Sequence, residues 1–266
     1  MCIIPGVKSL TIIIPARLGA TRFPRKMLYP LLEKPLILWT AEAASESGLA
    51  DNVIVATDDN EIMRVVQEAG FKAEMTRSDH ASGTDRVWEV ASAVDSEWII
   101  NLQGVEPLIR ASTLDSLAKT AFESAGLEKS IEMATLVRDL EPADVRDPNR
   151  VKVVTDIEGN AMYFSRSPIP YPRIVADIPE DLREPARYLL HVGVYLYRRD
   201  VLAKLITLPR SPLERIEGLE QLRALENGIG IKCVKTSDEC MGVDTQADVP
   251  RVEAALRARF KGRSGV

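Results

Sequence analysis

Leu10-Thr11-Ile12-Ile13-Ile14-Pro15 sets the frame for the rest of the chain. Thr11 and the three isoleucines are β-branched, no residue is charged, and the apolar positions are continuous rather than alternating. Such a run reads as a strand buried on both faces, the condition of a parallel sheet covered by helices; Pro15, which has no backbone N–H, ends it. Val53-Ile54-Val55-Ala56 and Trp98-Ile99-Ile100-Asn101-Leu102 repeat the pattern. Helical signals lie between these runs. Pro35 is expected as the first-turn proline of a helix closed by Gly48. Ile62, Val65, Val66 and Ala69 share one helical face before Gly70, behind Asp58 and Asp59 as caps. Apolar strands alternating with helices predict βαβ units and an α/β fold built on a mostly parallel sheet.

The middle of the chain changes character. Arg150 to Thr155 and Asn160 to Ser165 read as strands joined by the turn Asp156-Ile157-Glu158-Gly159. Pro168 to Pro185, polar and proline-bearing, is expected as a loop or lid. Val192 to Tyr197 is a further strand, followed by one helix from Leu213 to Glu226 and a strand from Ile231 to Lys235. On a single helix, Glu217, Glu220 and Gln221 cluster on one face, opposite Ile216, Leu219, Leu222 and Leu225.

At 266 residues, 45% hydrophobic and 27% charged, the chain suits one α/β domain spanning 1–266. A net charge of −5 supplies no general attraction to nucleic acid or anionic membrane, so a polyanionic substrate needs a local basic cluster. No apolar run approaches the roughly 20 residues of a membrane span, and the first residues lack the pattern of a secretion signal. Cys2, Cys233 and Cys240 are too scattered for a disulfide framework or a thiolate metal site. A cytoplasmic address follows as the expectation, with no nucleic-acid or membrane partner.

In open α/β sheets, ligands bind beyond the carboxyl ends of the strands. Three polar segments follow strands here: Pro15 to Lys26, Asp58-Asp59, and Gln103 to Pro107. The first carries Arg17, Arg22, Arg25 and Lys26 among small residues, a composition suited to a polyphosphate. It matches neither the P-loop nor the dinucleotide glycine pattern.

These segments belong to a longer series: IIPAR, TRFP.K, IVATDD, MTRSDHASGTDR, NLQG.EP, MATL, DPNRVKVV, YFSRSPIPYPR, HVGVYLYRRD, SPLERIEGLEQLRALENG and GVDTQADVPRVE. In this order, from about Ile12 to about Glu253, the chain resembles the 3-deoxy-manno-octulosonate cytidylyltransferases, which activate the acidic sugar Kdo with CTP for lipopolysaccharide synthesis. The resemblance implies a Rossmann-like nucleotidyltransferase core with an inserted β-rich subdomain at about 131–200, Mg²⁺ as cofactor, and a homodimer. It implies that Arg17, Thr21, Arg22 and Lys26 hold the CTP phosphates, and that the Ala81–Arg86 run, with Ser82, Gly83, Thr84 and Arg86, lines the cytidine side. Gln103, Arg166, His191, Tyr195, Glu220 and Gln221 fall to the sugar, and Asp244 to the metal. His80 reads as a structural or surface residue, and Glu217 stands between a sugar contact and a solvated helix position.

Two positions depart from the resemblance. Gln103-Gly104-Val105-Glu106-Pro107 has valine where a second metal-binding aspartate is expected, and Arg25 stands where glycine usually precedes the lysine. Valine offers a hard cation no oxygen. Three explanations stay open: reduced activity, substitution by Glu106 as ligand, or a non-catalytic binder of CTP and a sugar acid. Another enzymatic reading keeps the chemistry but takes a modified sugar, such as an 8-amino analogue of Kdo. Against Glu106 stands the rule that neighbours on an extended segment point to opposite sides.

Overall fold

The computed structural model describes residues 9–19, 23–124, 130–171 and 188–261. In chain order the strands and helices are β1 (Leu10–Ala16), β2 (Pro30–Leu31), β3 (Lys34–Pro35), α1 (Leu36–Ser45), β4 (Asn52–Thr57), α2 (Asn60–Glu68), β5 (Lys72–Met75), α3 (Gly83–Ala93), β6 (Trp98–Leu102), α4 (Ala111–Ser124), β7 (Met133–Asp139), β8 (Lys152–Thr155), β9 (Ala161–Ser165), β10 (Leu189–Arg198), α5 (Arg199–Thr207), α6 (Pro212–Glu217), α7 (Gln221–Glu226), β11 (Ile231–Lys235) and α8 (Val249–Lys261).

The main sheet runs β11-β7-β10-β6-β1-β4-β5, with β8 added to β10 and β9 to β8. Pairings within β6-β1-β4-β5 are parallel, whereas β10 lies antiparallel between β6 and β7. All seven residues of β1 are buried, as its unbroken apolar run demands. Its side chains alternate between two cores: Leu10, Ile12 and Ile14 pack on one face beneath α1 and α4, and Ile13 packs on the other with α3 and α5. Helices on both faces are therefore forced by the strand composition.

The segment expected as an inserted subdomain, about 131–200, contributes strands to this same sheet: β7 and β10 lie inside it and only the β8–β9 hairpin extends beyond β10. The loop expected at Pro168–Pro185 falls mostly outside the described residues.

Four local expectations are corrected. Pro15 does not end β1, which runs on to Ala16 with Pro15 opposite Ala56 of β4. The helix drawn from Leu213 to Glu226 is two short helices broken at Gly218, whose φ of 64° terminates α6. A single wheel therefore does not apply, and Ile216, assigned to a core face, is 79% exposed. Asp59 alone caps α2, accepting from the backbone N–H groups of Glu61 and Ile62 at 2.9 and 3.0 Å, while Asp58 is engaged elsewhere. Pro35 precedes α1 rather than sitting in its first turn, because it also pairs with Pro30 in the β2–β3 ribbon.

Candidate active site

From β1 the chain winds outward to β4 and β5, then returns to β6 on the other side of β1. The carboxyl ends of β1 and β6 thus flank a topological switch point, where this class of sheet binds ligands. A cavity of about 550 Å³ opens there. Pro15, Ala16 and Arg17 reach it from β1, Asp58 from β4, and Gln103 and Val105 from β6.

The amino end of α3 closes another wall through Ser82 and Gly83. Ser82 Oγ accepts from the Asp85 N–H at 3.1 Å, and Asp85 Oδ2 accepts from the Ser82 N–H at 2.9 Å. This reciprocal cap orients the free amides and the positive end of the helix dipole toward the cavity, which favours an anion. Lys26 lines the same space, its Nζ 3.3 Å from Asp244 Oδ1 and 3.5 Å from the Val243 carbonyl. Thr21 and Arg22 lie outside the described residues. Arg86 borders the cavity but is already paired, donating to Asp58 Oδ2 at 2.7 Å and to Thr76 Oγ1. Its first work is to tie the loop after β4 to α3.

A second cavity of about 600 Å³ and a third of about 180 Å³ adjoin the first. Gln103 lines all three, and Val105 and Asp244 line the first two. The residues expected on the sugar are divided between them: Arg166 and His191 line the second, while Tyr195, Glu220 and Gln221 line the third. Thr84, expected beside the nucleotide, lines the third cavity instead.

Arg166 is held by backbone carbonyls, donating from Nε to Glu217 O at 2.7 Å and from Nη1 to Pro148 O at 2.9 Å. Glu217 takes a supporting place: its carboxylate accepts from Ser165 Oγ at 2.6 Å, the Arg166 N–H at 2.9 Å and Tyr163 OH at 3.3 Å. The register of β10 shifts between Val192 and Tyr195, and Thr135 Oγ1 fills the irregularity, 2.9 Å from Val194 O and 3.1 Å from His191 Nε2. If the hydroxyl donates to that carbonyl, the imidazole donates from Nε2. Burial pushes the His191 pKa down to about 3, so the ring is neutral. Burial likewise raises the Glu220 carboxyl and holds the Tyr195 phenol well above its ordinary value. Gln221 Nε2 is buried with no hydrogen-bond partner among the described residues. His80 pairs with Glu89 and also lines the first cavity.

Gly104 lets this junction pack closely against α1 and Met27. A Cβ there would meet Ile37 Cδ1 at 2.9 Å and Met27 Sδ at 3.2 Å. Beyond it, burial first and the Asp244 charge second raise the Glu106 carboxyl to about 7. Sequence reasoning missed Arg150 and Arg251, which line the second cavity, and Lys152, which is fully buried beneath Arg166 and donates to the carbonyls of Asp147 and Arg166. A lysine flanked by valines in a strand is the signal that was available for the last.

A family profile described as cytidylyltransferase matches residues 11–236. The 3-deoxy-manno-octulosonate cytidylyltransferase of Syntrophotalea carbinolica is 46% identical over 252 residues, spanning 94% of this chain and 99% of its own. The chain belongs to the 3-deoxy-manno-octulosonate cytidylyltransferases. The corresponding protein of Solibacter usitatus is 44% identical across 92% of this chain and 94% of its own. A solved structure of CMP:2-keto-3-deoxy-manno-octonic acid synthetase complexed with CTP matches with a TM-score of 0.86 and 42% identity, covering 94% of this chain and 99% of that one. The nucleotidyltransferase fold implied by the sequence is thereby shown, and the junction at Gln103 lies in the architecture of a cytidylyltransferase.

Proposed function

We propose that this protein transfers the cytidylyl group of CTP to 3-deoxy-manno-octulosonate, releasing pyrophosphate. The observation that carries the reading is the junction itself: Gln103 borders three cavities, with Lys26 and Asp244 beside it. The first cavity takes the nucleotide, with Arg17 and Lys26 neutralising the triphosphate beside the amino end of α3. The second and third take the acidic sugar, where Arg166 offers its remaining N–H groups to the carboxylate and Tyr195, Glu220 and Gln221 address hydroxyls. The anomeric hydroxyl attacks the α-phosphorus in line; the new P–O bond forms as the bond to the β-phosphate oxygen breaks. Such chemistry rests on positioning and charge neutralisation and needs no covalent nucleophile from the protein.

The residues present fit Mg²⁺. Asp244 and Glu106 both line the second cavity and Asp244 also the first, and Glu106 Oε2 is buried with no hydrogen-bond partner among the described residues. No cluster of three or more ligating side chains forms among the described residues, which accords with an ion held by one or two carboxylates and substrate phosphates. When bound, it supplies charge neutralisation on those phosphates.

A homodimer is proposed on Ile157, Met162 and Ile216, large apolar side chains exposed on the β8–β9 hairpin and the adjoining α6. Among the described residues no helix is long and apolar enough to cross a membrane, and the cytoplasm is the proposed address.

Pyrophosphate release measured with CTP and a panel of sugar acids, including Kdo and its 8-amino analogue, tests the reading. Release with Kdo is expected. CTP binding without release for any sugar would leave a binder rather than an enzyme.

A further inference from the structure

Residues 103–106 do not form an extended segment. The Glu106 N–H donates to Gln103 O at 3.1 Å, and the Ile109 N–H donates to Glu106 O at 3.2 Å, so the chain coils as it leaves β6. Alternation of side chains therefore does not apply, and Val105 and Glu106 line the second cavity together. Val105 O accepts from the Val243 N–H at 2.9 Å, which binds this turn to the residue preceding Asp244. Gly242 lies against the Glu106 carboxylate, since a Cβ there would come within 2.9 Å of Oε1. Glu106 and Asp244 are thus brought to one wall from distant parts of the chain, with Lys26 at the Asp244 end. Glu106 Oε2 is sealed from solvent and has no hydrogen-bond partner among the described residues, a costly state for a carboxylate oxygen unless something occupies it.

We propose that Glu106 and Asp244 are the two protein carboxylates of a single divalent-cation site at this junction, with Glu106 supplying the oxygen that Val105 cannot. The inference rests on the cytidylyltransferase reading for what the cation does there. Arg138 presents the rival partner: its Nε is also buried without a hydrogen bond, and its charge acts on Glu106. Were Glu106 only the counter-charge of Arg138, metal affinity would be indifferent to it.

Mn²⁺, whose free form is read by electron paramagnetic resonance, is titrated into the full chain alone and with CTP, without sugar. Glu106→Gln should weaken Mn²⁺ binding by at least about tenfold, as losing a metal ligand or its support does, while CTP affinity without metal stays within about threefold. In a Val105→Asp background, where a carboxylate is restored one residue earlier, the same Glu106→Gln change should cost less than about threefold, because the two side chains serve one ion. Glu106→Asp, which withdraws the carboxylate by one methylene and keeps its charge, should weaken Mn²⁺ binding in the same way and takes the place of the amide should that variant fail to fold. Mn²⁺ affinity in Glu106→Gln within about threefold of the parent overturns the proposal and leaves Glu106 to Arg138. Absence of CTP binding in the parent, with or without metal, would instead strike the functional reading, and the Mn²⁺-only titration would still decide the ligand.

Discussion

His191 shows how one side chain departs from its usual reading. Its ring meets Phe164 edge-on at 5.1 Å and Tyr195 at 5.3 Å, and burial pushes its pKa down to about 3. Below the unfolded value near 6.5, the unfolded chain takes up a proton that the folded ring refuses. The contribution of the neutral ring is fully present above pH 6.5 and is lost as pH falls toward 3. Because the unfolded ring is only half protonated at pH 6.5, the slope averages about 1 kcal/mol per pH unit between pH 7 and 5, and approaches the 1.36 of a full proton only below that. Urea unfolding at pH 7, 6 and 5 should show the parent losing stability relative to His191→Gln by about that slope. Parallel slopes would mean the folded ring protonates normally. Arg25 was legible in a different way. The residue expected to be glycine adopts φ 57°, the left-handed region that glycine enters without a Cβ penalty, and its guanidinium meets Glu61 at 2.6 Å.

Among the elements, strands disclosed themselves and a helix did not. β1, β4 and β6 are continuous apolar runs, and nothing but a doubly covered sheet buries them. Residues 213–226 keep an apolar helical rhythm across Gly218, so their sequence conceals the break; only the positive φ there reveals it. The break matters because it turns α7 inward, placing Gln221 and Glu220 at the third cavity while Glu217 stays with β9. What holds the two helices together is a bidentate pair, Arg223 Nε to Glu214 Oε2 at 2.8 Å and Nη2 to Oε1 at 2.6 Å, with both residues buried. Arg223→Met leaves the Glu214 carboxylate without its main partner, a loss of about 3 kcal/mol for a buried charge. Adding Glu214→Met should recover most of it, short by about 1 kcal/mol, because Glu214 also accepts from the Ser211 N–H at the start of α6. Chemical denaturation of the two variants decides the point. A double variant no more stable than Arg223→Met would show that packing, and not the unpaired charge, dominates.

At the scale of the molecule, the site is built from segments that the sequence keeps far apart and only the winding of the sheet unites. The carboxyl-end loops of β1, β4 and β6 converge by topology, which is why their polar segments could be read as neighbours from strand order alone. The division of the sugar-facing residues between two cavities was not readable, because it depends on the register shift in β10 and the break at Gly218. This arrangement makes ligand binding a clamp on separate segments, and hydrogen exchange can see it. CTP at about 100 times its dissociation constant should stabilise the fold by about 2.7 kcal/mol, a rise in melting temperature of roughly 5–10 °C for a chain of this size. Slowed exchange is expected after β1, at the start of α3 and at residues 103–106, where the first cavity is lined, while α6, α7 and the β8–β9 hairpin stay at their free rates until a sugar acid is added. Lys26→Ala should retain the ligand-free melting temperature, since among the described residues its Nζ meets only Asp244 and a 3.5 Å carbonyl, yet lose most of the CTP-induced rise because a charge-assisted contact worth about 1.5–3 kcal/mol is gone. CTP protection centred on α6, α7 and the hairpin, with residues 103–106 unchanged, would place the nucleotide on the opposite side of Gln103 and reverse the assignment of the cavities.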